Sequence, residues 1–358
     1  MKALVLSGGS GTRLRPLSHT IPKQLVPVAN KPVLAYGLEA IRDAGITEVG
    51  LVVGDRMADI REAVGDGERF GLKVTYIPQS APLGLAHAVV IARDFLGDDD
   101  FLMYLGDNIV LDGVTELVEG FRARPCDAQV TVHHADPREG GLAVLDADGR
   151  VLRVEEKPKH PTGDLALMGM YVFTPVIHEA VRAISPSPRG ELEITDAIGW
   201  LVQAGHDVRG HLYEGFWQDA GLIETLLESN QAVLDCLGSR IAGKVDDETE
   251  VIGRVIIEEQ ATVTRSRLVG PLVIGAGSII DGSYVGPYSS VGEQCVIEDA
   301  TVEYSIVMDR VAIRDVRGVY GSVIGTGTSV RAGSAGRAGS GRGGHRLILG
   351  ENSQISLV

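Results

Sequence analysis

From residue 251 onward, apolar side chains return at every sixth position. They run through Val251, Ile257, Val263 and Val269, slip by four, and continue at Val273, Ile279, Val285, Val291 and Ile297, with further steps of six at Val307, Ile313 and Val319. Neither the period of an α-helix, about 3.6 residues, nor the alternation of a half-buried strand gives this spacing. A chain that makes a short strand, turns and makes another does so when each coil stacks on the one below and buries the repeated side chain. Glycine follows the apolar position closely where turns are needed, as in Val251-Ile252-Gly253, Val285-Gly286 and Val291-Gly292. An antiparallel sheet with accidental spacing does not keep a six-residue register without drift. The last third is therefore expected to be a parallel β-helix.

The first two-thirds have another texture. Residues 3–6, 48–53, 73–77 and 101–105 are short apolar runs that read as strands; 33–44, 57–64 and 86–95 carry helical patterns, the first stopped by Gly45. Strand and helix alternating at this interval imply an α/β unit with a mainly parallel sheet. Ligands of such sheets sit beyond the carboxyl ends of the strands, where the glycines after Ser7 and the run Gly106-Asp107-Asn108 both fall. The expected organisation is a first domain over 1–236, a linker over 237–250 and the β-helix over 251–358. Residues 331–344 are Arg-Ala-Gly-Ser low complexity and are expected to be flexible. Residues 346–358 regain strand character and are expected to dock on the helix or on a neighbouring chain.

At 358 residues the chain is too long for one ordinary domain. A net charge of -15 argues against a general nucleic-acid binder, which needs a basic face. Phosphate substrates would have to be met by local cations, backbone amides or a metal. Cys126, Cys236 and Cys295 are few, far apart and odd in number, which suits a reducing compartment and no disulfide framework. No apolar run has the length of a signal peptide or a membrane span, so a cytoplasmic protein without membrane partners is expected.

The most specific motif is Gly8-Gly9-Ser10-Gly11-Thr12-Arg13-Leu14-Arg15-Pro16, with Lys23-Gln24-Leu25 beyond it. Glycines without Cβ let backbone N–H groups close around phosphate oxygens, and Arg13 adds a planar cationic fork. The spacing is neither that of a dinucleotide-binding loop nor that of a P-loop. A glycine turn with no ligand would not explain the cations beside it.

These residues, with Gln79-Ser80-Ala81-Pro82-Leu83-Gly84-Leu85-Ala86, Leu105-Gly106-Asp107-Asn108, Glu156-Lys157-Pro158, Gly169-Met170-Tyr171, the run Arg189-Gly190-Glu191-Leu192-Glu193-Ile194-Thr195-Asp196 and Trp217-Gln218-Asp219-Ala220-Gly221, resemble the sugar-1-phosphate nucleotidylyltransferases. The wording is most similar to the long-form thymidylyltransferases of that family. The resemblance implies a Rossmann-like nucleotidyltransferase domain followed by a left-handed β-helix of hexapeptide repeats. It also implies deoxythymidylyl transfer from dTTP to glucose 1-phosphate, giving dTDP-glucose and pyrophosphate, in a homo-oligomer serving deoxysugar and antibiotic pathways. By resemblance, Leu6, Gly8, Gly9, Gly11, Thr12, Arg13, Gln79, Pro82, Gly84 and Asp107 contact the nucleotide. Asn108, Gly141, Glu156, Lys157, Gly169, Tyr171 and Arg189 contact the sugar phosphate. Arg13, Lys23 and Lys157 carry the transfer, and Asp107 and Asp219 bind Mg2+. Such chemistry needs positioned cations more than a covalent nucleophile. Alone, Asp107 would read as a turn residue and Gln79 as surface loop.

The chain departs from the family pattern at Gly140, where an aromatic is usual, and at Ala220, where a threonine is usual. The rival readings are a UTP-dependent uridylyltransferase, a β-helix with acyltransferase activity, and a non-catalytic subunit that binds nucleotide sugars. Acyl transfer usually needs a general base, and His345 is the one histidine beyond residue 211. The β-helix is accordingly expected to serve assembly or regulation.

Overall fold

The computed structural model describes residues 1–9, 11–332 and 344–357. The chain divides into two compact units, Met1–Gly9 with Leu34–Trp217, and Ser10–Val33 with Gln218–Val358.

The first unit is built on a nine-stranded sheet. Lys2–Ser7 pairs in parallel with Glu48–Val53 on one side and Phe101–Leu105 on the other, and Lys73–Pro78 extends the parallel set. Successive residues of a strand point to opposite faces. Ala3, Leu4 and Val5 are all 0% exposed, so this central strand is covered on both faces and reads as a continuous apolar run. Leu165–Phe173 lies antiparallel to Phe101–Leu105 and leads on to Ala128–His134, Val208–Leu212 and the antiparallel pair Gly141–Leu145 and Val151–Glu156. The sheet is thus mixed, its parallel part being the one legible as alternating strand and helix. The helix Val33–Asp43 closes at Gly45, whose φ of 76° is open to glycine at little cost. The helical pattern over 86–95 is two helices, Leu85–Ile91 and Arg93–Leu96.

In the second unit, short parallel strands stack into three sheets, a left-handed parallel β-helix. Its inward rows correct the strict six-residue register. One row is Val251, Leu268, Val285, Val302 and Val319; a second is Ile257, Ile274, Val291, Val307 and Ile324; a third is Val263, Ile280, Ile297, Ile313 and Val330. The chain therefore advances by six, six and then five in most coils. Leu268, Ile274 and Ile280 point inward where Val269, Val273 and Ile279 were expected, and Ile279 is 45% exposed against 0% for Ile280. Adjacent apolar pairs made both registers readable in the sequence.

Serines at the corners help each coil sit on the last. The Ser266 hydroxyl accepts the Ser283 N–H at 3.0 Å, Ser283 that of Ala300 at 3.1 Å, and Ser305 that of Ser322 at 3.1 Å. The span 237–250 contains the strands Arg240–Ile241 and Lys244–Val245, which already pair with the coil above. At the other end, Ser329–Ala332 takes up residues expected to be flexible, and residues 333–343 of that stretch lie outside the described residues. The tail docks as Ile348–Leu349 and Gln354–Leu357, which pair in parallel with the coil before them. Among the described residues no helix is long and apolar enough to cross a membrane.

The register predicts a contrast. Ile280→Ala should lower stability by about 2–5 kcal/mol, and Ile279→Ala by about 0.5 kcal/mol or less. The readout is the urea midpoint of the β-helix transition; equal costs would contradict the assigned rows.

Candidate functional site

Two loops of the first unit meet beyond its strand ends. Gly8 follows the central strand, and Gln79 follows Lys73–Pro78, its N–H held by the Val53 carbonyl at 2.8 Å. A side chain on Gly8 would come within 3.2 Å of Gln79 Oε1, so glycine is what lets the amide lie against the loop. Gln79 Nε2 donates to the Gly84 carbonyl at 3.3 Å and lies 3.0 Å from His87 Nδ1. A primary amide held through its nitrogen leaves Oε1 to accept an N–H from a base edge. Gly84 has a φ of 103°, and a Cβ there would stand 2.3 Å from the Leu192 carbonyl oxygen. The loop is laced to that residue by Leu192 N–H to Leu83 O at 2.8 Å and Ala86 N–H to Leu192 O at 3.0 Å. Pro82 stands exposed on the same loop, and Leu6 accepts the Gly106 N–H at 2.9 Å.

The Leu192 segment also organises the sugar-phosphate candidates. Glu193 is only 4% exposed. Its carboxylate accepts from the Ser187 hydroxyl at 2.8 Å and from Arg189 Nη2 at 2.8 Å to each oxygen. Arg189 reaches on to Glu156 at 3.2 Å, and the Thr195 hydroxyl donates to the other Glu156 oxygen at 2.9 Å. Burial raises the Glu156 pKa, with Thr195 and Arg189 opposing and Glu193 adding to the rise. Gly141 pairs directly with Glu156 across the strands, and a Cβ on it would meet Leu167 at 2.7 Å and Thr195 at 2.8 Å. Lys157 has a φ of 42°, a region that a β-carbon disfavours, and its N–H is held by the Gly140 carbonyl at 2.7 Å.

Gly169, at φ 75°, breaks the register of Leu165–Phe173 and leaves no room for a side chain, since a Cβ would stand 2.4 Å from Leu105. Asn108 is buried, and its Nδ2 donates to the Met168 carbonyl at 2.6 Å. Its side chain thereby braces the Gly169 strand. Tyr171 is 3% exposed and stacks on Phe173; burial first, then the Glu156 charge, push its phenol up. Asp107 follows Phe101–Leu105, and after burial its charge is the next influence raising the Tyr104 phenol.

In the second unit, Gly11 takes φ 60° and starts the turn Thr12–Leu14. A Cβ on Gly11 would lie 3.1 Å from Lys23 Cβ, so the glycine packs on the turn Lys23–Leu25. Thr12 and Arg13 are exposed. Arg13 and Asp219 converge on Gly221, where a Cβ would lie 3.1 Å from Arg13 Nη2 and 3.0 Å from Asp219 Oδ2. Ala220, which lacks the usual hydroxyl, is 0% exposed. Gly9 stands at the boundary of the first unit, beside the undescribed Ser10.

Sequence reasoning assigned no role to His87, Glu193 or Gly221. The last two lie inside quoted motifs, and His87 one helical turn past Gly84. No three His, Cys, Asp or Glu side chains gather into a metal cage among the described residues. Asp107 and Asp219 each offer a hard carboxylate oxygen, chemistry that suits Mg2+ and substrate phosphates and differs from that of a thiolate or imidazole ligand.

Glu156 yields a test with a defined sign. Its folded pKa is raised, so its contribution to stability is full below the unfolded pKa and is lost as pH rises through the folded value. The half-buried carboxyl group therefore contributes less to stability at pH 7 than at acid pH. Glu156→Gln should keep or raise the thermal midpoint at pH 7 while the KM for the sugar phosphate rises about tenfold. A lower midpoint with unchanged KM would contradict this role.

Comparison with known proteins places these residues in one family. The nucleotidyl transferase family model matches residues 2–236. The chain is 55% identical to the glucose-1-phosphate thymidylyltransferase of Streptomyces griseus, over 100% of this chain and 99% of that protein. It is 54% identical to that of Streptomyces antibioticus, again over 100% and 99%. A solved Bacillus anthracis chain described as a glucose-1-phosphate thymidylyltransferase, in complex with sucrose, superposes with a TM-score of 0.62 at 32% identity, covering 67% of this chain and 98% of that one. Every residue named above as a nucleotide, sugar-phosphate or metal candidate falls inside the matched span, and the chain belongs to the nucleotidyl transferase family.

Proposed function

We propose that the protein transfers a deoxythymidylyl group from dTTP to α-D-glucose 1-phosphate in the cytoplasm, as a homo-oligomer, releasing pyrophosphate and dTDP-glucose for deoxysugar and antibiotic biosynthesis. The observation that carries the reading is the tie through Leu192. It joins a base-reading amide, Gln79 at Gly84, to the Glu156–Arg189–Glu193 lattice suited to sugar hydroxyls and phosphate. Full-length identity to two proteins of that name supports the choice of substrates.

In the reaction, a phosphate oxygen of glucose 1-phosphate attacks the α-phosphorus of dTTP. A phosphorus–oxygen bond forms there, and the bond from the α-phosphorus to the bridging oxygen breaks, its electron pair leaving with pyrophosphate. The attacking oxygen is already deprotonated at neutral pH, so no side chain has to serve as base. The backbone around Gly8, Gly9, Gly11 and Thr12 cradles the triphosphate; Arg13 and Lys23 neutralise it; Lys157 and Arg189 hold the sugar phosphate. Asp107 and Asp219 would hold Mg2+ with the substrate phosphates, and the ion would supply charge neutralisation worth several kcal/mol. Gln79 Oε1 and the Gly84 backbone orient the pyrimidine, while Gly141, Glu156, Gly169 and Tyr171 define the sugar pocket.

Pyrophosphate release from glucose 1-phosphate with each of dTTP, UTP, CTP, ATP and GTP tests the substrates. dTTP is expected to be the best, with UTP next, because a missing methyl costs about 1–3 kcal/mol. No preference for dTTP over ATP or GTP would overturn the assignment. For the metal, Asp107→Asn should lower turnover about a thousandfold, and chelator should abolish activity that added Mg2+ restores. Near-normal turnover in folded Asp107→Asn would remove that residue from the site.

A further inference from the structure

A hairpin joins the signature segment to the β-helix within the second unit. Pro27–Val28 pairs antiparallel with Lys31–Pro32, and the two turn residues Ala29 and Asn30 take φ 45° and 62°. Left-handed backbone at both central positions is the tight two-residue turn that matches strand twist. Three hydrogen bonds hold this turn. The Ala29 N–H donates to Asn230 Oδ1 at 2.8 Å, Asn230 Nδ2 donates to the Tyr288 carbonyl at 3.0 Å, and Asn30 Nδ2 donates to the Val291 carbonyl at 2.7 Å. Asn230, on the helix Ile223–Cys236, is 0% exposed. Its amide thus turns its acceptor to the hairpin and its donor to a β-helix corner. Tyr288 itself sits at φ 60°, immediately before the strand Ser289–Val291.

The segment secured in this way buries Leu14, Leu17, Val26 and Val28 but has little regular structure. Between Gly11 and the hairpin it consists of the three-residue turns Thr12–Leu14, Leu17–His19 and Lys23–Leu25, whose hydrogen-bond geometry is poorer than that of an α-helix. We propose that the β-helix is a positioning element for this segment, acting through Asn30 and Asn230, and that it sets Arg13 and Lys23 for the triphosphate. This rests on the reading of those two cations given above. The Bacillus anthracis chain is 98% covered by 67% of this one, so the family's chemistry does not in general call for so long a second part. In this protein the coil at residues 288–291 has taken over part of the work of holding the loop. Asn30 and Asn230 touch no substrate in this account; they act through the backbone they fix.

The test uses the full-length protein. Asn30→Gly keeps the left-handed turn, which glycine adopts freely, and removes only the donor to Val291. Asn230→Ala removes the bridge from both sides. In each, the KM for dTTP should rise about tenfold, as expected for loss of one or two buried hydrogen bonds, while the KM for glucose 1-phosphate stays within about twofold. Amide exchange over residues 11–33 should quicken, with the coil strands still protected. An unchanged dTTP KM in both variants, or equal rises in both KM values, overturns the proposal, as does unchanged exchange over 11–33. Arg13→Ala is the control: if it leaves the dTTP KM unaltered, the reading of the segment as phosphate-binding fails, and the exchange result still decides whether the β-helix holds it.

Discussion

Glu193 holds a carboxylate at 4% exposure, and a charge survives there only when it is paired and hydrogen-bonded. Arg189 and Ser187 satisfy it, and that requirement draws the whole of residues 187–196 into one shape. The neighbouring Leu192 then stands where its backbone can close the Gly84 loop, and Thr195 stands where it can steady Glu156. A single buried carboxylate, paired with the more exposed Arg189, thereby ties the loop proposed to read the base to the strand proposed to read the sugar. Removing Arg189 would leave an uncompensated buried carboxylate, so its loss would be felt in folding as well as in binding. The protein is acidic, at -15, so the anionic substrates proposed for it would have to be met by a few such fixed cations and by glycine-rich backbone.

The second unit solves a different problem. Each coil of the β-helix repeats one buried aliphatic residue per side and uses corner serines to accept the N–H of the next coil. Repetition of this kind makes a stiff support from short strands that could not stand alone. The segment 11–33, with its brief turns and its hairpin, buries Leu14, Leu17, Val26 and Val28 and is tied to that support by hydrogen bonds as well.

Much of this was legible in the sequence, for physical reasons. A six-residue recurrence of apolar residues has few structural meanings, so the β-helix was evident, as was the α/β alternation of residues 3–105. The exact rows were not: Leu268 beside Val269 and Ile279 beside Ile280 offer two equally apolar registers, and only packing chooses between them. The antiparallel strands over 128–173 lacked the alternation with helices that marked the others. Around the site, Gln79, Gly84, Glu156 and Arg189 could be named from motifs and resemblance. The roles of Glu193, His87 and Gly221 depend on which side chains converge in space. Asn108 is proposed at the sugar phosphate, and that its amide also braces Met168 could not be read from the sequence, where a buried amide and an exposed one look alike. The bond from the Ala29 N–H to Asn230 spans 201 positions and had no sequence signal at all.

In the proposed reaction the site works by positioning and charge neutralisation, with the sugar phosphate itself as the nucleophile. Exchange of labelled pyrophosphate into dTTP tests this directly. With Mg2+ but without any sugar phosphate or nucleotide sugar, no label should enter dTTP, because no protein group takes up the nucleotidyl unit; adding dTDP-glucose should switch incorporation on. Label appearing in dTTP in the absence of sugar would reveal a nucleotidyl–enzyme intermediate and contradict the account.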